Sequence, residues 1–150
     1  MTIYIRVQTA DFDITKEYAA LRQDSSCGAV VTFSGLVREL NDARLHTMTL
    51  EHYPGMTEQT LGHIAQDAQT RWQLGAITII HRVGELRPND QIVFVGVASA
   101  HRAAAFCAAE FIMDYLKTRA PFWKKEHTQQ GSYWVDAKAS DEQSSHRWSN

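Results

Sequence analysis

Residues 117–126 read Lys117-Thr118-Arg119-Ala120-Pro121-Phe122-Trp123-Lys124-Lys125-Glu126, placing four of the chain's fifteen lysines and arginines in ten positions of a protein with net charge −2. Cations this crowded repel one another, and the Pro-Phe-Trp insert limits their retreat into water. An anion is the expected partner, and a lysine held against apolar rings and other cations should have a lowered pKa. The same residues also suit a solvated basic helix end, where each cation gains about 0.3–1 kcal/mol.

A second cationic pair stands at the start of a helix. Ser99 is a good N-cap, which places His101 and Arg102 in the first turn. That end of a helix is itself partly positive, so cations there are disfavoured, whereas free N–H groups, a histidine and an arginine together suit an anion. The competing reading pairs Arg102 with a carboxylate such as Glu85 or Asp90. Arg38 is a third candidate. It follows the apolar run Ala29–Val37, in which Gly35 would let a ligand approach the backbone closely.

Other chemistries have less support. Cys27 and Cys107 belong to no CxxC pair; Cys107 falls in an Ala-rich helical run and reads as a small buried hydrophobe, while Cys27 before Gly28 suits either a turn or a reactive thiol. Seven histidines show no HxH, HxxxH or HxxEH spacing, so no metal is expected. A composition of 44% hydrophobic and 21% charged residues is ordinary for a globular domain, and 150 residues fit one domain. No apolar run reaches the roughly 18–20 residues that span a bilayer. The segment Met1–Arg6 lacks the long apolar core of a signal peptide, so a cytoplasmic location is expected.

The elements that must position these cations follow from periodicity. Alternation and β-branched content predict strands near 3–7, 29–37, 46–53, 76–83, 91–98 and 132–137. Gly84-Glu85-Leu86-Arg87-Pro88-Asn89-Asp90 reads as a turn closing a hairpin between the fourth and fifth. Helices are predicted over 14–22, 57–73 and 100–118. The second buries Leu61, Ile64, Ala65, Ala68 and Trp72; the third buries a stripe of Phe106, Ala109, Met113 and Leu116. The loop at 39–46 reads as polar and mobile, and 139–150 as a loose polar tail in which Trp148 could dock. One α+β domain over 1–138, followed by that tail, is the simplest organisation.

This arrangement poses a geometric problem. His101 and Lys117 stand sixteen residues apart on one predicted helix, about 24 Å at 1.5 Å per residue. Either the two ends serve unrelated sites, or a second copy of the chain brings its His101-Arg102 end to the first copy's Lys117. The second option predicts a homodimer with composite pockets in symmetric pairs.

The chain also resembles a known family, the large, catalytic subunit of molybdopterin synthase. The matching blocks are Thr32-Phe33-Ser34-Gly35-Leu36-Val37-Arg38, Leu50-Glu51-His52-Tyr53-Pro54-Gly55-Met56, Ile80-His81-Arg82-Val83-Gly84-Glu85-Leu86 and Val97-Ala98-Ser99-Ala100-His101-Arg102. The last is Phe111-Ile112-Met113-Asp114-Tyr115-Leu116-Lys117, running on through Ala120–Glu126.

What the resemblance implies is sulfur transfer. The family converts cyclic pyranopterin monophosphate into molybdopterin by installing two dithiolene sulfurs. These arrive as a thiocarboxylate on the C-terminal tail of a small ubiquitin-like partner subunit, and two large subunits form a central dimer with a small subunit at each end. The fold implied is an α/β-hammerhead-like arrangement with a mixed or antiparallel sheet and two main helices, without a resident cofactor. By resemblance Lys117 and Lys124 are catalytic, and Leu36, Val37, Arg38, His101, Arg102, Lys117, Lys124, Lys125 and Glu126 surround the substrate. Leu36 stands where some relatives carry lysine. Lys138 stands where arginine is expected, keeping the charge without the bidentate fork.

The residues themselves are consistent with that chemistry. The phosphate and the thiocarboxylate are both anions, and cations must offset their repulsion. Glu126 would position Lys124 or act as a base. Two other functions compete. Phe122-Trp123-Lys124-Lys125 mixes rings and cations as single-stranded nucleic-acid binders do, but the net charge and a pI near 6.4 oppose that reading. A non-enzymatic scaffold for a ubiquitin-like protein would need the same groove.

Overall fold

A computed structural model describes residues 2–39, 45–129, 131–135 and 139–149. The elements in chain order are β1 (Ile3–Gln8), α1 (Ile14–Leu21), β2 (Ala29–Leu36), β3 (Leu45–His52), α2 (Met56–Arg71), β4 (Leu74–Arg82) and β5 (Gly84–Leu86). They continue with β6 (Gln91–Ser99), α3 (Arg102–Arg119), β7 (Phe122–Thr128), β8 (Gly131–Val135) and α4 (Ala139–His146). The architecture is α+β, as expected, with α2 and α3 as the main helices. The strands divide into two four-stranded sheets, ordered β1-β4-β6-β2 and β5-β3-β7-β8. The first is mixed, because β1 runs parallel to β4 while β2, β4 and β6 are antiparallel. The second is antiparallel throughout.

Burial explains why β4 and β6 read so clearly. As central strands covered on both faces they are apolar almost throughout. Ile77, Ile79, Val93, Val95 and Val97 face α2 and α3, meeting Leu61, Ile64, Ala65, Ala68, Phe111, Ile112 and Leu116. On the opposite face Ile80 and Phe94 pack with Phe12 and Leu21 around α1. The second sheet has its own core of Val37, Met48, Leu50, Val83 and Leu86. Ile92 packs against both the α2/α3 cluster and this second core, as does Phe122. Among the described residues no helix is long and apolar enough to cross a membrane.

Several expectations change. Residues 84–86 form strand β5 rather than part of a turn, since Leu86 is wholly buried. The turn is confined to the residues after it, where Asn89 takes a positive φ of 73° and the Asp90 carboxylate accepts from the Arg87 N–H. Ser99 ends β6, buried, with its hydroxyl donating to the Gln73 carbonyl, and His101 is the N-cap of α3 without a side-chain capping bond. Phe106 is 61% exposed, so it leaves the predicted stripe. The buried face of α3 is Ala105, Ala108, Ala109, Phe111, Ile112, Tyr115 and Leu116. Gly35 has a packing reason: a Cβ there would lie 2.7 Å from Val93 Cγ1. Residues 40–44 of the predicted loop, residues 136–137 of the last predicted strand, and Lys138 lie outside the described residues.

The expected loose tail is instead helix α4, packed on α3. Its sequence is polar, so long-range contacts hold it. Trp148 meets Trp72 and Phe111 edge-on at 5.7 and 5.6 Å, and its indole N–H donates to Asp114 at 2.6 Å. Arg147 bridges Glu110 and Asp114, and Arg71 donates to the Trp148 carbonyl. Trp148 keeps part of its surface in water, so Trp148→Ala should cost about 2 kcal/mol, below the roughly 3–5 kcal/mol of a fully buried Trp→Ala. Chemical denaturation would read this as a lower midpoint at constant slope.

Candidate functional site

Strand β7 carries the Lys-Lys-Glu run, and its register decides where each charge points. Paired with β3, Phe122 lies opposite His52, Lys124 opposite Leu50, Lys125 opposite Thr49 and Glu126 opposite Met48. Because a strand alternates faces, Phe122, Lys124 and Glu126 project to the side of Leu50 and Met48, which are buried. Lys125 projects to the other side with Trp123, its ammonium 5.3 Å from the centre of the Trp134 ring. The three charges expected in one pocket are therefore split between two faces. Lys124 and Glu126 share a face, but no ion pair joins them among the described residues; two positions along a strand span roughly 6.6 Å.

The start of β7 is fixed from a distance. The buried Thr57 hydroxyl, at the start of α2, donates to the Pro121 carbonyl at 3.1 Å and accepts from the Tyr53 N–H at 3.0 Å. Pro121 in turn ends the path from α3, whose last turn carries Lys117 and Arg119. Lys117 is exposed and Lys124 half-buried. Arg119 lies on the other side of the helix, its guanidinium 3.8 Å from the centre of the Tyr115 ring, in keeping with an angle of about 200° between positions 117 and 119. It faces a separate cleft of about 390 Å³ that Arg71, Phe111 and Tyr115 also line.

His81 completes this end of the molecule, at a position to which local sequence pattern assigns no chemistry. It follows Ile77 and Ile79 on the face of β4 that meets α3, where a further aliphatic residue would fit the pattern. The imidazole is 4% exposed and stacks on Phe122, with ring centres 3.8 Å apart and planes 21° apart. Its Nδ1 lies 2.8 Å from the Arg82 carbonyl oxygen, so Nδ1 carries the proton and Nε2 the lone pair. Burial pushes its pKa from 6.5 down to about 4; the Arg82 carbonyl opposes the shift, and the nearby Lys117 and His52 charges add to it. His81 is neutral at pH 7. A histidine closing an otherwise apolar period-two stripe was the available signal for it.

That shift has a consequence for stability. The unfolded chain takes up this proton near pH 6.5 and the folded chain only near 4, so the unfolded state binds more protons between those values. Stability is therefore lost as pH falls through that window, by about 3 kcal/mol at roughly 1.4 kcal/mol per pH unit. Urea unfolding at pH 7 and pH 4 measures the loss, and His81→Phe should remove this part of it.

The remaining predicted residues fall into two groups. Leu36 is exposed at the end of β2. The Val37 side chain is buried among Met48, Leu50, Val83 and Leu86, and its backbone N–H and carbonyl bond Asp90 and Asn89. Arg38 follows, exposed. Because Gly35 and His81 both lie opposite Val93 on the two sides of β6, Arg38 leaves the sheet at the end where His81 and Phe122 stack. His101 and Arg102, both exposed, stand at the other end of α3, and fifteen residues separate Arg102 from Lys117, about 22 Å. Among the described residues Arg38, Arg102, Lys124 and Lys125 form no ion pair with a carboxylate, so Glu85 and Asp90 do not neutralise Arg102. One chain thus places Lys117 near His81, Lys124 on the Phe122 face of β7 and Arg38 at the same end of the first sheet, and leaves His101 and Arg102 at the other end of α3.

Comparison with known proteins supplies the family. Residues 7–119 match the profile of the MoaE protein family. The molybdopterin synthase catalytic subunit of Escherichia coli (strain K12) is 56% identical over 138 residues, covering 91% of this chain and 92% of that protein. The protein of the same name from Ralstonia nicotianae is 58% identical, covering 96% of this chain and 83% of that one. Among solved structures, the molybdopterin biosynthesis MoaE protein from Burkholderia ambifaria MC40-6 superposes with a TM-score of 0.86 at 50% identity, over 100% of this chain and 99% of that one. With three-quarters of its length matched by one profile and an architecture shared end to end, the chain belongs to the MoaE family of molybdopterin synthase catalytic subunits.

Proposed function

We propose that this chain catalyses sulfur transfer from the C-terminal thiocarboxylate of a small ubiquitin-like partner subunit to cyclic pyranopterin monophosphate, forming the dithiolene of molybdopterin. The observation that carries the reading is the cluster at the C-terminal end of α3. There Lys117 stands near a histidine held neutral, the half-buried Lys124 shares a strand face with the Phe122 that stacks on that histidine, and no carboxylate neutralises Lys124 or Arg38 among the described residues. Such a site attracts anions and has groups able to exchange protons as sulfur adds and oxygen leaves.

Lys117 and Lys124 take the catalytic roles, flanking the sulfur-bearing tail and the reacting carbons. Arg38 binds the substrate phosphate from the same chain, with Leu36 beside it and Val37 holding the strand end in place. His101 and Arg102 of a second copy complete the pocket, since their own chain holds them about 22 Å away. The assembly is a central homodimer with a small subunit at each end, working in the cytoplasm. Glu126 lines the Lys124 face. Lys125, on the opposite face, acts at its rim or on the partner. Combining the pure chain with a thiocarboxylated small subunit and the cyclic pterin should yield a product heavier by the installed sulfurs in mass spectrometry; unchanged pterin with an intact thiocarboxylate would refute the reading.

A further inference from the structure

We propose that His81 is a positioning residue for Lys117, its Nε2 lone pair accepting a hydrogen bond from the lysine ammonium and holding that head group toward the face of β7 that carries Lys124. The inference rests on the function proposed above for Lys117 and Lys124 and deepens it.

Four features of the molecule carry it. The stripe Ile77-Ile79-His81 points at α3, and its polar member falls where the apolar face of the helix gives way to Lys117. An imidazole buried at this point costs more than an aliphatic side chain unless its polar atoms are used. Secondly, the ring is locked. Phe122 covers one face at 3.8 Å, and the Nδ1 bond to the Arg82 carbonyl fixes the tautomer, leaving Nε2 as the acceptor.

Thirdly, the titratable groups acting on the ring are Lys117 from α3 and His52 from β3, and both disfavour an imidazolium, so at pH 7 the buried ring offers an uncharged acceptor. Fourthly, the ring's stacking partner, Phe122, begins the strand on which Lys124 projects from the same face two positions later. One rigid contact thus sets the two lysines relative to each other. A positioned amine is effective only when its geometry is held before reaction, and the exposed Lys117 side chain has four rotatable bonds to restrain.

The test compares His81→Phe, which keeps the stack and removes the acceptor, with His81→Gln, which restores an acceptor at the Nε2 position. The first readout is the rate at which an amine-acylating reagent modifies Lys117 at pH 7 in the free protein, followed by peptide mass spectrometry against the exposed Lys16 as internal reference. Losing the acceptor destabilises the ammonium and frees the side chain, so His81→Phe should label Lys117 several-fold faster, and His81→Gln close to wild type. The second readout is turnover with thiocarboxylated partner and pterin. There His81→Phe should lower kcat about tenfold or more with little change in KM, and His81→Gln should recover much of it.

Wild-type labelling of Lys117 in His81→Phe overturns the proposal, whatever the activity. Should His81→Phe fail to fold, His81→Asn replaces it, since it keeps a donor near Nδ1 and loses the acceptor. Equal labelling of the Asn and Gln variants is then the overturning result. A wild-type chain that transfers no sulfur, with the labelling difference intact, would refute the catalytic reading of the site while leaving the His81–Lys117 contact standing.

Discussion

Lys117→Ala is expected to reduce sulfur transfer by about 10²–10⁴-fold, the range that a positioned acid or base contributes, while the variant still folds and still captures its small partner. Folding survives because Lys117 is exposed and lies outside the buried face of α3. Partner binding is expected to survive because a protein–protein interface rests on many contacts, of which one ammonium is removed. The loss should fall on kcat, as for a group whose interaction strengthens in the transition state. Single-turnover kinetics with a saturating thiocarboxylated partner make the measurement. A protein that served only as a scaffold for its ubiquitin-like partner would pass this substitution unchanged, so normal turnover in Lys117→Ala would remove the lysine from the mechanism.

The second large effect is a recovery. Arg102→Ala alone should chiefly weaken pterin binding, since a lost charge-assisted contact is worth roughly 1.5–3 kcal/mol. Mixed with Lys117→Ala chains under conditions of subunit exchange, and assayed at pterin concentrations too low to saturate Arg102→Ala, it should restore activity well above that of either variant alone. If the pocket is shared as proposed, each one in a symmetric dimer takes Lys117 from one copy and Arg102 from the other. A mixed dimer therefore carries one pocket with both substitutions and one with neither. Random exchange makes about half of the dimers mixed, so about a quarter of wild-type activity is the expected ceiling. No recovery, with mixed dimers demonstrated by mass, would show that Arg102 and Lys117 do not share a pocket. The two ends of α3 would then have to serve separate functions.

These two experiments test different parts of the site. The first asks whether the Lys117 end is chemical at all. The second asks whether one fold supplies only half of the pocket, or whether the two ends of the eighteen-residue helix serve separate sites. Loss in the first combined with recovery in the second is the signature of a site assembled between copies.

Much of this protein was legible from its residues alone. Strands β4 and β6 and helices α2 and α3 were evident because each element's apolar period matches its own geometry, and that match is a property of neighbouring residues. The inventory of cations and the 22 Å between Arg102 and Lys117 follow from sequence and helical rise. Strand β7 was hidden because its alternation runs Phe-Trp-Lys-Lys-Glu-His-Thr, charged on both faces and indistinguishable from a basic helix end until β3 and β8 pair with it. The same pairing placed Lys124 and Lys125 on opposite faces. The fate of His81 depended on Phe122 arriving from the far side of α3, and that of the C-terminal segment on Trp72, Phe111 and Asp114 receiving Trp148. Periodicity reports what a segment prefers; which side chain is buried, neutral or aimed at a partner is settled by segments distant in the chain, whose contact energies no local pattern contains.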